Sequence, residues 1–246
     1  MVDAVATVQG LVKSYALGTQ QIEVLTGLDL TLWPGEICGV MGPSGAGKST
    51  LLNCLAGIDR PDQGQIRLLG QAVDQESDDA RTLLRRRHVG IIYQFFNLVP
   101  NLDVTENVML PYLIDGVPAD LPAIQHALSR VGMGHRHDHL PSQLSGGEMQ
   151  LVSIARAIVR KPAVILADEP TGNVNVATGR KIMALLREVV KECQSALLLV
   201  THNPEDAAKA DRVVFLKDGR LDEAQALKGE EVSVAAIHTK LEQLGI

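Results

Sequence analysis

Gly42-Pro43-Ser44-Gly45-Ala46-Gly47-Lys48-Ser49-Thr50 matches the pattern G-x-x-x-x-G-K-[ST] at every fixed position. An apolar run, Ile37–Met41, enters it, and a helical stretch, Ser49–Ala56, leaves it. Strand, loop and helix together are the setting that a phosphate-binding loop requires, which weighs against a ligand-free glycine turn. Without a Cβ in the way, backbone N–H groups converge on an anion. The helix N-terminus adds about half a positive charge at the same place. Lys48 is then placed on the β and γ phosphates of a nucleotide, and the Ser49 hydroxyl on Mg2+. A dinucleotide fold fails on spacing, because G-x-G-x-x-G counted from Gly45 needs glycine where Thr50 stands. A second acidic site closes the run Val164-Ile165-Leu166-Ala167-Asp168-Glu169-Pro170. In an open parallel sheet such a strand end faces the ligand crevice. Asp168 is the expected partner of Mg2+ through a water, and Glu169 the base toward a water attacking the γ-phosphate. Taken alone, the two carboxylates would read equally well as a solvated strand end.

The elements that must position these residues alternate along the chain. Short apolar runs at Ile37–Met41, Val89–Tyr93, Ala163–Ala167, Ala196–Val200 and Val213–Leu216 have the character of strands buried on both faces of a parallel sheet. Between them, Leu151, Ile154 and Ile158, and then Ile182, Leu185, Leu186 and Val189, recur at helical spacing. The expected fold class is α/β, a P-loop core with a mostly parallel sheet. Residues 4–33 carry Val24, Leu28, Leu30 and Leu32 in alternation, which predicts an antiparallel β subdomain beside the core. Residues 95–155 show helical patterns interrupted by Pro100, Pro111, Pro118, Pro122 and Pro141, which predicts a helical insertion. Val234, Ile237, Leu241 and Leu244 predict a closing helix. The chain is thus expected to be one domain over 1–246, with its α/β core in 1–94 and 156–222, a helical subdomain in 95–155 and a helical tail in 223–246.

Composition narrows the class. The chain has 246 residues, 46% hydrophobic and 21% charged, which is globular and not disordered. Its net charge of −6 argues against a nucleic-acid partner, which needs a basic face. No apolar run approaches a bilayer span and the N-terminus does not read as a secretory signal. The three cysteines form no CxxC pair, as expected for free thiols in a reducing compartment.

The remaining motifs resemble those of the ATP-binding cassette ATPases. Leu144-Ser145-Gly146-Gly147-Glu148 is similar to the family signature, Gln94 to its Q-loop glutamine and His202 to its switch histidine. Tyr15, expected just before the strand pair, stands where the family stacks an aromatic ring on adenine. In order and spacing these motifs cover residues 5–220. The stretches Tyr93–Pro100, Leu102–Leu110 and Leu144–Ala157 further resemble the lipoprotein-releasing, macrolide-export and cell-division branch.

The resemblance implies ATP and Mg2+ as ligands. It implies Glu169, His202, Lys48 and Gln94 as catalytic residues, Ser49, Gln94 and Asp168 at the metal, and Tyr15, residues 42–50 and Ser145, Gly146, Gly147 and Glu148 at the nucleotide. It also implies a head-to-tail homodimer. Each nucleotide would lie between the phosphate loop of one copy and Ser145–Gly147 of the other, whose N–H groups at a helix N-terminus reach the γ-phosphate. An integral membrane permease-type subunit would dock near Gln94–Asn101, placing the chain peripherally on the cytoplasmic face of the inner or plasma membrane.

Some positions depart from the pattern. Glu148 replaces the commoner glutamine, Met149 and Leu151 stand where glutamine or arginine is usual, and Asn175 in Thr171-Gly-Asn-Val-Asn175 replaces an expected aspartate. An amide keeps hydrogen-bonding shape and loses charge. His135, His137 and His139 alternate as a metal cluster might, but read better as a surface turn. Arg81, Arg85, Arg86, Arg87 and His88 read as a solvated helical face, with membrane contact the rival reading. Cys38 and Cys54 read as core, and Trp33 as packing at a strand end.

The sequence therefore points to an ATP-hydrolysing subunit that drives a membrane partner in export, extraction or mechanotransmission. A regulatory ATPase controlling envelope or division machinery without transport shares all of this chemistry. A soluble cassette acting on DNA or ribosomes would carry long insertions, coiled coils or zinc modules, and none is visible.

Overall fold

A computed structural model describes residues 3–74 and 76–246; Met1 and Val2, which open the expected core segment, and Gln75 lie outside the described residues. The chain begins with a long antiparallel pair, β1 (Ala6–Leu17) and β2 (Gln20–Leu32), in which Ala6 faces Leu32 and Tyr15 faces Ile22. Tyr15 thus lies within β1 near the hairpin tip and not ahead of the strand pair. β3 (Ile37–Met41) enters the phosphate loop, and α1 (Lys48–Leu55) leaves it. β4 (Gln63–Leu68) and β5 (Gln71–Ala72) complete a four-stranded antiparallel sheet in the order β2-β1-β4-β5. The sequence pattern does not reveal β4, because only Ile66 and Leu68 of Gln-Gly-Gln-Ile-Arg-Leu are apolar and its first three residues are exposed.

α2 (Asp78–His88) is capped by Ser77 and leads into β6 (Val89–Ile92). α3 (Val104–Asp115), α4 (Leu121–Arg130) and the first part of α5 (Gly146–Ile158) make up the helical insertion. α5 crosses the expected border at residue 155 and carries its apolar face into the core. β7 (Val164–Asp168), α6 (Val176–Cys193), β8 (Ala196–Val200), α7 (Pro204–Ala207) and β9 (Arg212–Lys217) follow. Two short strands, β10 (Arg220–Leu221) and β11 (Leu227–Lys228), pair antiparallel with β9, and α8 (Val234–Leu244) closes the chain. The central sheet runs β10-β9-β3-β8-β7-β6, with β9, β3, β8, β7 and β6 parallel.

The parallel strands are apolar throughout because both of their faces are covered. Alternation along β3 sends Ile37 and Met41 to one core and Cys38 and Val40 to the other. The first core joins the sheet to α3, α4, α5, α6 and α8. The second joins it to α1 and the antiparallel sheet. Cys38 and Cys54 are buried, as expected. Two other expectations are corrected. Trp33 stands 44% exposed just past the end of β2 and is not buried in either core; the turn it opens is closed by Glu36, whose carboxylate accepts from the Trp33 amide at 3.1 Å. Arg81 is buried, not on a solvated face, and donates to Asp78 at 2.5 Å.

Arg212 is the polar fastener between the two sheets. It is 6% exposed and donates from Nε to Glu36 at 2.8 Å, from Nη1 to Glu223 at 2.9 Å and from Nη2 to the Thr31 carbonyl at 2.6 Å. One guanidinium thus joins β2, the turn before β3 and the C-terminal segment. Removing one partner of a buried ion pair strands the other charge. Arg212→Met is expected to destabilise the fold by about 3 kcal/mol, which lowers the melting temperature of a chain this size by roughly 6–12 °C. Thermal unfolding followed by circular dichroism checks this; an unchanged melting temperature refutes it.

Candidate functional site

The carboxyl ends of β3, β7 and β8 lie side by side, and the loops that leave them enclose one pocket of about 420 Å³. Gly42, Ser44, Gly45, Gly47, Lys48, Ser49 and Thr50 line it from the phosphate loop, and Gln94, Asp168, Glu169 and His202 from the other side. These predicted residues meet although 160 positions separate Gly42 from His202. Val24 from β2 also lines the pocket, a residue that its strand alternation alone does not single out. The loop needs glycine for two reasons. A Cβ on Gly42 would lie 2.1 Å from the Leu216 carbonyl oxygen. Gly47 has φ +103°, and a Cβ there would lie 2.8 Å from a Leu25 methyl carbon and 3.0 Å from the Val24 carbonyl oxygen. Lys48 folds over the loop and donates to the carbonyls of Gly42 and Pro43 at 2.7 and 2.8 Å. Burial lowers its pKa, and the nearby Glu169 and Asp168 oppose that shift.

Ser49 donates to Asp168 at 3.0 Å. An alcohol and a carboxylate oxygen side by side at the mouth of a phosphate cradle are hard donors of the kind Mg2+ takes, so the donor set fits that ion. Among the described residues no cluster of three or more His, Cys, Asp or Glu has metal-binding geometry, so His135, His137 and His139 do not form such a group. Instead His139 bonds Asp138 and Arg136.

Glu169 is 8% exposed and has φ +47°, a left-handed conformation that a non-glycine residue holds only when its surroundings fix it. Its Oε1 accepts from the His202 amide at 2.9 Å and contacts His202 Nδ1 at 2.6 Å, while Oε2 accepts from the Thr201 hydroxyl at 3.2 Å. Gln94 lies two residues beyond the end of β6, and its carbonyl accepts from Asn173 at 2.6 Å. Asn175 caps α6 by accepting from the Thr178 amide at 2.9 Å, a task that asparagine and aspartate do equally well. The charge is therefore all that this position lacks locally.

Tyr15 donates to Asp59 at 2.7 Å and carries Lys13 5.2 Å above its ring. Burial, with the hydrogen bond to Asp59, pushes its pKa up to about 12. Ser145, Gly146, Gly147 and Glu148 do not line the pocket. They open α5 elsewhere, where Ser145 and Glu148 form a capping box. The Ser145 amide and hydroxyl donate to the Glu148 carboxylate at 2.8 and 2.7 Å, and these bonds hold Glu148 below the usual carboxylate range. The glutamate thus does the work of the commoner glutamine as a cap.

Fold and site together define a cassette-type nucleotide hydrolase. The family model for ABC transporters matches residues 25–172, more than half of the chain, and the chain belongs to that family. The lipoprotein-releasing system ATP-binding protein LolD of Maricaulis maris is 46% identical over 224 residues, spanning 90% of this chain and 97% of the relative. LolD of Pseudomonas syringae pv. tomato is 44% identical over 223 residues, spanning 90% and 98%. Among solved structures, the dimeric post-hydrolysis state of the ATP-binding cassette MJ0796 bound to ADP and Pi superposes with a TM-score of 0.83 at 35% identity, covering 89% of this chain and 97% of that one.

Burial raises the Asp168 pKa above the ordinary value, with Glu169 adding to the shift and Ser49 and Lys48 opposing it. A raised folded-state pKa favours the protonated form in the fold. Its contribution to stability is therefore present below the unfolded value and lost as pH rises through the folded one. Asp168→Asn mimics the protonated form. Without ligand it is expected to melt at or above the wild-type temperature at neutral pH, the difference closing as pH falls toward about 4. It is also expected to lose the extra stability that Mg2+ with nucleotide gives the wild type. Melting curves across pH test both; a less stable unliganded Asp168→Asn at neutral pH contradicts the account.

Proposed function

We propose that this chain is the ATP-hydrolysing subunit of a lipoprotein-releasing-type complex, working as a homodimer beneath a membrane permease-type subunit. One observation carries the reading. The phosphate loop, Asp168, Glu169, Gln94 and His202 share one pocket, while Ser145–Glu148 stand outside it at the N-terminus of α5. A site divided in this way is completed by a second copy that brings its own Ser145–Gly147 to the γ-phosphate.

In the proposed reaction the loop amides of residues 42–50 cradle the phosphates, and Lys48 exchanges the Gly42 and Pro43 carbonyls for β- and γ-phosphate oxygens. Ser49, Asp168 and Gln94 would hold Mg2+, which would neutralise charge on the phosphates when bound. Tyr15, oriented by Asp59, stacks on the base. Glu169 takes the proton of the attacking water, and His202, joined to Glu169, faces the γ-phosphate. Closure is favoured because ATP contacts both copies, and hydrolysis to ADP and phosphate weakens that bridge.

The membrane partner is assigned to the groove between core and helical insertion, beside Gln94–Asn101. Ile91, Tyr93, Leu110 and Ile114 line a hollow of about 390 Å³ there together with Arg86, Arg87, Arg156 and Arg160, and Phe95 nearby is 70% exposed. Among the described residues no helix is long and apolar enough to cross a membrane, and the reading places the chain peripherally on the cytoplasmic face.

Glu169→Gln is expected to reduce MgATP turnover by about 10²- to 10⁴-fold and to accumulate as an ATP-bound dimer in light scattering; a variant that stays monomeric with saturating MgATP argues against the divided site. Phe95→Asp should lose co-purification with the membrane subunit from detergent extracts. Full retention of the partner would move the docking surface elsewhere.

A further inference from the structure

We infer that Thr201 is a positioning residue that aims the Glu169 carboxylate, an inference resting on the reading of Glu169 as the base. Thr201 is fully buried immediately beyond β8, and its amide donates to the Val40 carbonyl of β3 at 3.2 Å. Its hydroxyl has two partners. The Asn203 amide donates to it at 3.0 Å, and it stands 3.2 Å from Glu169 Oε2. An amide can only donate and an ionised carboxylate can only accept, so the single hydroxyl hydrogen has one direction, toward Glu169.

The two carboxylate oxygens are held differently. Oε1 is held by His202, through an amide and a ring whose side chain is 73% exposed. Oε2 has Thr201 as its only hydrogen-bond donor among the described residues. An exposed ring is free to turn toward a phosphate, and the backbone amide alone leaves the carboxylate able to rotate about its Cγ–Cδ bond. The buried hydroxyl removes that rotation. The segment carrying Thr201 is itself anchored. Asp206, 4% exposed, accepts from the Thr171 hydroxyl two residues beyond Glu169 and from the Asn203 side chain at 3.3 Å. Thr201 and Glu169 are thus clamped at a fixed separation by a second carboxylate that does not touch the pocket.

The test compares Thr201→Val, which keeps shape and removes the hydroxyl, with Thr201→Ser, which keeps the hydroxyl, and with Glu169→Gln, all in the full-length chain. Thr201→Val is expected to lower kcat for MgATP on the order of ten- to a hundredfold. KM and the affinity for a fluorescent ATP analogue are expected to stay within about twofold, because no phosphate contact is removed. Thr201→Ser should return kcat to within about threefold of wild type, since the donor is restored. If Thr201→Val melts below the assay temperature, Thr201→Ala is judged by the same criteria. The inference fails if Glu169→Gln is inactive while Thr201→Val turns over like wild type. It fails as well if Thr201→Ser is as impaired as Thr201→Val, or if the loss lies in KM and nucleotide affinity instead of kcat. A Glu169→Gln protein with wild-type turnover would remove the underlying reading, and this inference with it.

Discussion

Parallel pairing places the carboxyl ends of neighbouring strands at one edge of the sheet, and everything at this site follows from that geometry. β3 delivers the phosphate loop, β7 delivers Asp168 and Glu169, and β8 delivers Thr201 and His202. In an antiparallel arrangement these chain ends would be shared between two opposite edges. The register is fixed in turn by two cores. Every residue of β3 and β8 is buried, so a slip of one position would exchange the residues facing the helices for those facing the antiparallel sheet.

Within that frame, the site is held by polar contacts between loops. Glu169 has a left-handed backbone and a carboxylate gripped by the next strand's end. Asp206 ties the same two loops from behind, through Thr171 and Asn203. Lys48 rests on its own loop's carbonyls. A site built this way is preorganised: in the proposed reaction, the groups that would meet phosphate already have partners and would exchange one for another instead of being ordered anew.

Much of this is legible in the sequence, for a physical reason. The phosphate loop is contiguous, so its whole pattern of glycines, Lys48 and Ser49 stands together in the sequence. The strands Ile37–Met41 and Ala196–Val200 carry unbroken apolar runs because both faces are covered. Contributions made by tertiary contact alone are not legible. Val24 reaches the pocket only because β2 passes close to Gly47 at the start of α1, and Thr201 reaches Glu169 only when β8 is laid beside β7. β4 is hidden by its polar residues, and Arg81, in a run of charges, is buried by contacts that charge patterning cannot show. Tyr15 reads as lying ahead of the strand pair because Lys13 and Ser14 break the apolar pattern before it, hiding the far end of β1.

The short segment after β6 is moored on two sides. The Gln94 carbonyl takes a hydrogen bond from Asn173, two residues before the α6 cap, while the carbonyls of Phe96 and Asn97 take hydrogen bonds from Arg156 on α5 at 3.0 and 2.7 Å. Ser145 caps α5, which begins with Gly146 and Gly147, and a Cβ on Gly146 would lie 3.5 Å from the Phe96 ring. Four residues of chain are thereby joined both to the loop that follows Glu169 and to the start of α5. A displacement of this tether would therefore load both contacts at once, without any long-range bending of the fold.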